Sequence, residues 1–213
     1  AYDRLGSVYA GHPVSYARTS LASFVAYSLA NNLGFSTVSG AAIRYRFYAA
    51  WGLSPGAIAK VVAFTSLTFG LGGFALGGLV LVAEPEVLPF FGDGTPRWVM
   101  RAAGIAMWCI VGSYILLARF VPHFRMFGYQ IDLPGFRMAV AQTALASADV
   151  AVTALIFWML LPPADGLTFL HFLGIYVLAL SAGIMANVPG GIGVFDGAVM
   201  LGLSGYLAAP VVV

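Results

Sequence analysis

Two carboxylates lie in stretches that are otherwise typical of membrane helices. Asp149 is preceded by MAVAQTALASA and followed by VAVTALIFWMLL, which places it near the middle of an apolar segment. A charge at the bilayer centre costs at least about 2.5–3.5 kcal/mol, so such a residue is by default a functional hypothesis. The partners that we expect are an arginine, a substrate amine, or Gln142 and Thr153 at helical spacings. A buried structural pair is the alternative.

The second carboxylate, Asp196, follows a helix break in GIMANVPGGIGVFDG. Pro189, Gly190 and Gly191 interrupt the helix, and such a backbone must be buried in protein or line a wet cavity. A new helix after the break would offer free N–H groups that favour an anion such as a phosphate. Asp196 then either stabilises that helix end or forms a cation site. A kinked span whose glycines allow close packing is the alternative.

Two arginines flank a tyrosine in IRYRFY, at Arg44 and Arg46. One interpretation is a bidentate phosphate clamp. The two side chains would share a face only in extended or loop backbone, because side chains alternate there. The other interpretation is a pair that extends its charged ends to the lipid headgroups. The sequence leaves both open.

The composition predicts a polytopic, all-α membrane protein. Of the 213 residues, 61% are hydrophobic and 8% are charged, against about 25% charged in soluble domains. A single cysteine, Cys109, rules out a disulfide framework within the chain, and three scattered histidines form no metal motif. We expect no catalytic residues, metal, cofactor or direct nucleic-acid contact. The chain starts without Met and stops in an apolar run, so we expect an internal piece of a longer protein.

Apolar length predicts about five to six transmembrane segments. The clear runs are residues 57–83, 98–118, 138–161 and 167–186, with a shorter run at 192–209. The first segment, 20–43, is interrupted by NNLGFSTVSG. Its apolar halves of about 11 and about 9 residues are each too short to cross about 30 Å of hydrocarbon. The segment is therefore one irregular span or a re-entrant hairpin that turns at 31–34.

The distribution of basic residues favours the hairpin. Lys and Arg concentrate on cytoplasmic loops. With a hairpin, eight of the ten basic residues lie on one side; with a crossing, six do. The connections at 84–97 and 162–166 are then outside, and the connection at 119–137 is inside.

The two broken segments resemble each other. ANNLGFSTVSG and ANVPGGIGVFDG share Ala-Asn, at Asn31 and Asn187, and both close on glycine. Paired broken helices in corresponding positions indicate a transporter site, which predicts an inverted repeat. Chance similarity in a chain rich in Gly and Ala is the alternative.

YSLANNLGFSTVSGAAIRYRFYAAWGLS, residues 27–54, and NVPGGIGVFDG together resemble the transmembrane region of the multiple peptide resistance factor family. These are bacterial lysyl-phosphatidylglycerol synthase/flippases that contribute to resistance to cationic antimicrobial peptides. The resemblance implies that residues 1–213 form a single flippase-type domain, multi-pass in the bacterial inner membrane. It implies that a C-terminal synthase domain of the parent chain acts as a phosphatidylglycerol lysyltransferase. In the family the residue after Gly-Val-Phe is usually Glu, whereas here it is Asp196.

The implied substrate is phosphatidylglycerol carrying an amino acid, lysyl-phosphatidylglycerol above all, moved from the inner to the outer leaflet. The expected partners are phosphatidylglycerol, lysyl-phosphatidylglycerol, the membrane and the synthase domain, and homo-oligomerisation is left open. Two other functions stay open: a small-solute or ion-coupled secondary transporter, and a scaffold that anchors a partner enzyme. The carboxylates would neutralise the amines, the arginines and the helix end would hold the phosphate, and the two breaks would shape the path; the residues are Asp149, Asp196, Arg44, Arg46, Asn31, Asn187, Gly190 and Gly191.

Overall fold

The computed structural model describes residues 1–33, 36–86, 96–121, 123–126, 129–186 and 188–207. These residues form eight α-helices, one 3-10 helix and one two-stranded sheet. The helices are α1 (Tyr2–Tyr9), α2 (Tyr16–Leu33), α3 (Ser36–Ala50), α4 (Pro55–Ala83), α5 (Arg97–Phe120), α6 (Phe136–Leu160), α7 (Phe169–Met185) and α8 (Val194–Leu203), with the 3-10 helix Pro189–Gly191 between the last two.

Three of the described helices, α4, α5 and α6, are long and apolar enough to cross a membrane. They have 29, 24 and 25 residues, which reach about 36–44 Å at 1.5 Å per residue. The predicted runs 57–83, 98–118 and 138–161 are thereby confirmed as continuous helices, and the chain is a membrane protein with transmembrane helices. α4 starts where the sequence favours a start: Pro55 has no N–H to satisfy, and the Ser54 hydroxyl accepts the Ala57 N–H at 3.3 Å.

The two later apolar helices are shorter than the runs that predicted them. α7 has 17 residues and α8 has 10, against the predicted 167–186 and 192–209. Ten residues reach about 15 Å, which is half of the hydrocarbon thickness. The end of the predicted 192–209 run lies outside the described residues. The total of five to six spans stays a prediction.

Among the described residues the fold is all-α, as predicted, apart from one short antiparallel hairpin. β1 (His123–Met126) pairs with β2 (Tyr129–Asp132), with Phe124 opposite Ile131. It lies in the polar connection at 119–137, where strands of HFRM and YQID carry aromatic residues that suit a pleated surface.

The chain divides into two compact units. Unit 1 contains residues 1–70 and 182–194, and unit 2 contains residues 71–181 and 195–213. The first unit therefore contains α2, α3 and the 3-10 helix Pro189–Gly191, which is more than a hundred positions later in the sequence. The prediction of a single domain over residues 1–213 stays a prediction beside this division.

In unit 1, α2 and α3 form an antiparallel helical hairpin. A Cβ at Gly40 would lie 3.6 Å from the Ala30 Cβ, and the Arg44 guanidinium lies 5.1 Å from the Tyr27 ring centroid. Towards the open end, Arg18 lies 5.7 Å from the Trp51 ring. The end of α2 thus lies beside the start of α3, and the start of α2 lies beside the end of α3. The hairpin interpretation of the first segment predicts this antiparallel pairing.

The two helices of this hairpin are longer than predicted. They have 18 and 15 residues and extend through the polar positions that bounded the apolar halves. The predicted helix ends were wrong because polar residues can continue a helix when their side chains find partners or water. The predicted turn at 31–34 is wrong at 31–33, which belong to α2, and residues 34 and 35 lie outside the described residues.

Helix α1 packs on the first half of α4 in the same unit. A Cβ at Gly6 would lie 3.3 Å from a Val61 methyl group, and the Tyr9 and Phe64 rings stack at 5.1 Å. Gly6 therefore allows close approach of the two helices. This contact places the buried face of α1, with Asp3, inside the unit.

In unit 2, glycines bring α4 close to both of its neighbours. A Cβ at Gly72 would lie 2.7 Å from the Ala146 Cβ on α6. A Cβ at Gly78 would lie 2.9 Å from the Gly104 carbonyl oxygen on α5. The Trp108 indole donates to the Ala75 carbonyl at 3.0 Å across the same contact. Small residues at helix contacts are typical of membrane proteins.

Candidate functional site

The second helix break packs against the first broken segment in unit 1. The 3-10 helix Pro189–Gly191 contacts α2. Three glycines near it, Gly190, Gly191 and Gly193, have φ values of 63°, 68° and 80°. Only glycine adopts this region at no steric cost, so these positions require glycine for backbone reasons. The second break and α2 therefore belong to one packed structure.

Some amides of the break are used within it. The Gly191 N–H donates to the Val188 carbonyl at 3.0 Å, and the Ile192 N–H donates to the Pro189 carbonyl at 3.3 Å. The next helix, α8, starts at Val194, and its first turn has N–H groups with no partner within the helix. The anion site that we predicted after Gly191 is therefore reduced to this first turn.

Asp196 lies in that first turn of α8 and its side chain is exposed. A negative charge there stabilises the helix N-terminus, which is one of the two roles that the sequence allowed. The neighbouring Phe195 packs in unit 2 against Tyr176 and Phe157, with ring centroids 5.8 Å and 6.0 Å apart. This aromatic contact fixes the start of α8.

Asp149 lies on α6 with an exposed side chain. The Thr153 hydroxyl donates to the Asp149 backbone carbonyl at 2.8 Å, not to the carboxylate. Gln142 is buried and accepts a hydrogen bond from the Tyr114 hydroxyl at 2.6 Å. Gln142 and Thr153 therefore each have a hydrogen-bond partner other than the Asp149 carboxylate. Tyr176 interacts electrostatically with Asp149, so one tyrosine on α7 is close to Asp149 and packs on Phe195.

Arg44 and Arg46 do not form a clamp. Both lie in helix α3, where residues two positions apart point about 200° apart around the axis. Arg44 is buried and Arg46 is exposed. The Arg44 Nε donates to both carboxylate oxygens of Asp3, at 3.2 Å and 3.1 Å. The clamp required extended or loop backbone, and the structure has a helix here.

The Asp3 carboxylate also accepts a hydrogen bond from the Tyr48 hydroxyl at 3.0 Å. Both Asp3 and Tyr48 are fully buried. Sequence reasoning missed this group, although a signal existed. Asp3 is the single acidic residue before Glu84, so a buried arginine in this region has no other carboxylate there to pair with.

The other predicted site residues are less fully described. Asn31 lies in α2, but its side chain is outside the described residues, and Asn187 is itself outside them. Gly190 is exposed and Gly191 is buried at the break. Within the described part of the chain, no three His, Cys, Asp or Glu side chains lie close enough together to hold a metal ion.

No protein-family model matches the chain. Two relatives are similar along almost all of it. One, an uncharacterized protein of Synechocystis sp. called slr0712, is 36% identical over 200 residues, which cover 93% of this chain and 62% of that protein. The other, the inner membrane protein YbhN of Escherichia coli, is 31% identical over 209 residues, which cover 96% of this chain and 64% of that protein. The chain thus spans less than two thirds of the length of each.

Proposed function

We propose that the chain is the flippase-type domain of a bacterial inner-membrane protein, and that it moves aminoacylated phosphatidylglycerol from the inner to the outer leaflet. Lysyl-phosphatidylglycerol is the foremost substrate in this proposal. We further propose that the parent protein makes the lipid with a separate synthase domain, as in the multiple peptide resistance factor family. Outward movement would then lower the negative charge of the cell surface and favour resistance to cationic peptides.

The observation that carries the proposal is the packing of the second helix break, Pro189–Gly191, on α2, the first helix of the other broken segment. The 3-10 helix at 189–191 lies against α2, close in the fold to the helical hairpin. Irregular backbone at membrane depth is tolerated where protein or a wet cavity covers it. A break packed on the helix of another broken segment supports a polar path for a headgroup, and the inverted repeat is proposed with it.

Exposed charged residues of both signs support a headgroup that carries both signs. Asp149 and Asp196 offer exposed carboxylates to the amines. Arg46 is exposed on α3 and is available to a phosphate. Arg44 is placed to hold α3 through Asp3, so we assign it a positioning role. The acyl tails would stay in lipid while the headgroup passes along protein.

The test replaces each carboxylate by its neutral amide, with Asp149→Asn and Asp196→Asn. The matched control is Asp165→Asn, because Asp165 is an exposed acid in the 162–166 connection. Outer-leaflet aminoacyl lipid is measured with an amine reagent that does not cross the membrane, at constant total lipid. We expect a fall of about 10-fold for a lost charge-assisted contact and no change in the control. Unchanged exposure in both variants would remove the two carboxylates from the path.

A reconstituted assay separates lipid movement from the alternative functions. The chain is placed in liposomes that contain labelled lysyl-phosphatidylglycerol, and the label on each leaflet is followed with time. A flippase speeds the exchange of label between leaflets. A small-solute transporter or a scaffold leaves that exchange at the rate of empty liposomes, and this result would overturn the proposal.

A further inference from the structure

A polar cavity of about 370 Å³ lies in unit 2, where α4 ends and where α5 and α7 begin. Its wall contains two of the ten basic residues and two of the eight acidic residues of the chain. In a protein so poor in charge, this concentration calls for a chemical reason. The charged and polar side chains of its wall are Glu84, Glu86, Arg97, Arg101, His171 and Tyr206.

One side of the cavity fixes a carboxylate. The Thr168 hydroxyl donates to one Glu84 oxygen at 3.0 Å, and His171 Nδ1 lies 3.0 Å from the other. The Tyr206 hydroxyl lies 3.2 Å from His171 Nε2. A carboxylate can accept about four hydrogen bonds, and the Glu84 side chain is 27% exposed. Glu84 is therefore held in one orientation, and its carboxylate can still accept further hydrogen bonds from a ligand.

The other side of the cavity presents guanidinium groups. Arg97 and Arg101 are one turn apart on α5 and so share a face. Arg97 forms an ion pair with Glu86. Arg101 is exposed and has no ion pair with any residue that the structure describes. The two acids and two arginines balance, so the site is dipolar, with Glu84 and Arg101 as its two available ends.

We propose that this cavity binds a compact zwitterion that carries a phosphate next to a primary ammonium group. Arg101 binds the phosphate, since guanidinium and phosphate match in geometry, and Glu84 accepts N–H groups from the ammonium. The cavity lies at the ends of α4 and α5, two helices long enough to span a membrane, and the ends of such helices are where lipid headgroups are expected. The same chemistry occurs in an ethanolamine-type phospholipid headgroup and in soluble phosphoethanolamine. The proposal does not depend on lipid transport.

The test titrates the full chain, held in phosphatidylglycerol nanodiscs, with phosphoethanolamine, phosphocholine and inorganic phosphate. Phosphocholine is the matched ligand, because its quaternary ammonium has no N–H to donate to Glu84. We expect phosphoethanolamine to bind about 10-fold more tightly than phosphocholine. Equal affinities for the two would overturn the proposal.

Two variants test which residue binds the phosphate and which binds the ammonium group. Arg101→Gln should weaken phosphoethanolamine and inorganic phosphate alike, whereas Glu84→Gln should weaken phosphoethanolamine alone, each by about 10-fold. Arg119→Gln, at the far end of α5, and Asp165→Asn should bind as wild type. Wild-type binding by Arg101→Gln would also overturn the proposal. If Glu84→Gln fails to fold, the proposal is still tested by the variant Arg101→Gln, at an exposed position, and by the comparison of the ligands on the wild-type chain.

Two further comparisons identify the source of the ligand and separate this proposal from the previous one. Phosphatidylethanolamine nanodiscs that displace phosphoethanolamine identify a lipid headgroup, and nanodiscs that do not displace it identify a soluble zwitterion. If phosphoethanolamine does not bind while leaflet exchange of lysyl-phosphatidylglycerol continues, only the proposal for this cavity is wrong. Exchange that fails while binding continues counts against the flippase alone.

Discussion

At the scale of single residues, the group of Asp3, Arg44 and Tyr48 joins α1 to α3. The Arg44 and Asp3 side chains are 9% and 1% exposed, so water solvates neither charge well. Removing one member of such a pair leaves the other charge buried and unpaired, whereas replacing both by apolar residues removes the cost. The stability of unit 1 therefore depends on the two charges being present together or absent together.

We predict that Asp3→Ala destabilises the folded chain by about 3–5 kcal/mol, measured by unfolding in detergent. The matched control is Arg46→Ala, since Arg46 lies on α3, as Arg44 does, but is exposed; it should change stability by less than about 0.5 kcal/mol. The double variant Asp3→Leu with Arg44→Leu should be more stable than Asp3→Ala. Equal stability of Asp3→Ala and wild type would show that the pair is unimportant.

The fate of the two arginines shows what sequence reasoning can reach. The types of the residues indicated phosphate chemistry, but the pattern IRYRFY could not say that α3 continues through it. Once α3 is helical to Ala50, one arginine must point inward and the other outward. The inward one then needs a carboxylate, which comes from a helix more than forty positions earlier. Such a long-range contact leaves no local pattern.

At the scale of helices, α4 combines length with small residues placed at its contacts. The close contacts of α4 are at Gly72, Gly77 and Gly78. A Cβ at Gly73 would meet nothing within 4 Å among the described residues. Apolar length was enough to predict the long helices, but the packed face depends on neighbours that the sequence does not order in space.

We predict opposite effects for two adjacent glycines of α4. Gly72→Ala should destabilise the chain by about 1–3 kcal/mol, because its Cβ would overlap Ala146 on α6. Gly73→Ala should stabilise it by about 0.5–1 kcal/mol, because alanine favours the helix at a position with free space. Thermal unfolding of both variants in one detergent measures the difference. Equal effects would contradict the packing of α4 on α6.

At the scale of the whole molecule, the path of the first segment sets the sidedness of everything after it. The antiparallel contacts of α2 and α3 bring residues 18 and 51 together at the open end. The distribution of basic residues favours the same return of the chain. Geometry and charge are independent arguments, and both favour the prediction that the start of α2 and the end of α3 lie on one side of the membrane.

Cysteine labelling tests this return. The native Cys109 is first replaced by alanine, and single cysteines then replace Ser15, Ala50 or Asp165, each of which is exposed. In sealed cells, a maleimide that does not cross the membrane should label position 165, which we predict to be outside, and should leave 15 and 50 unlabelled until the membrane is opened. A crossing segment would expose position 15 together with 165 and protect 50, because the basic residues after the break would still be inside. Labelling of 15 without 50 would therefore exclude the hairpin, and equal protection of both positions would exclude the crossing.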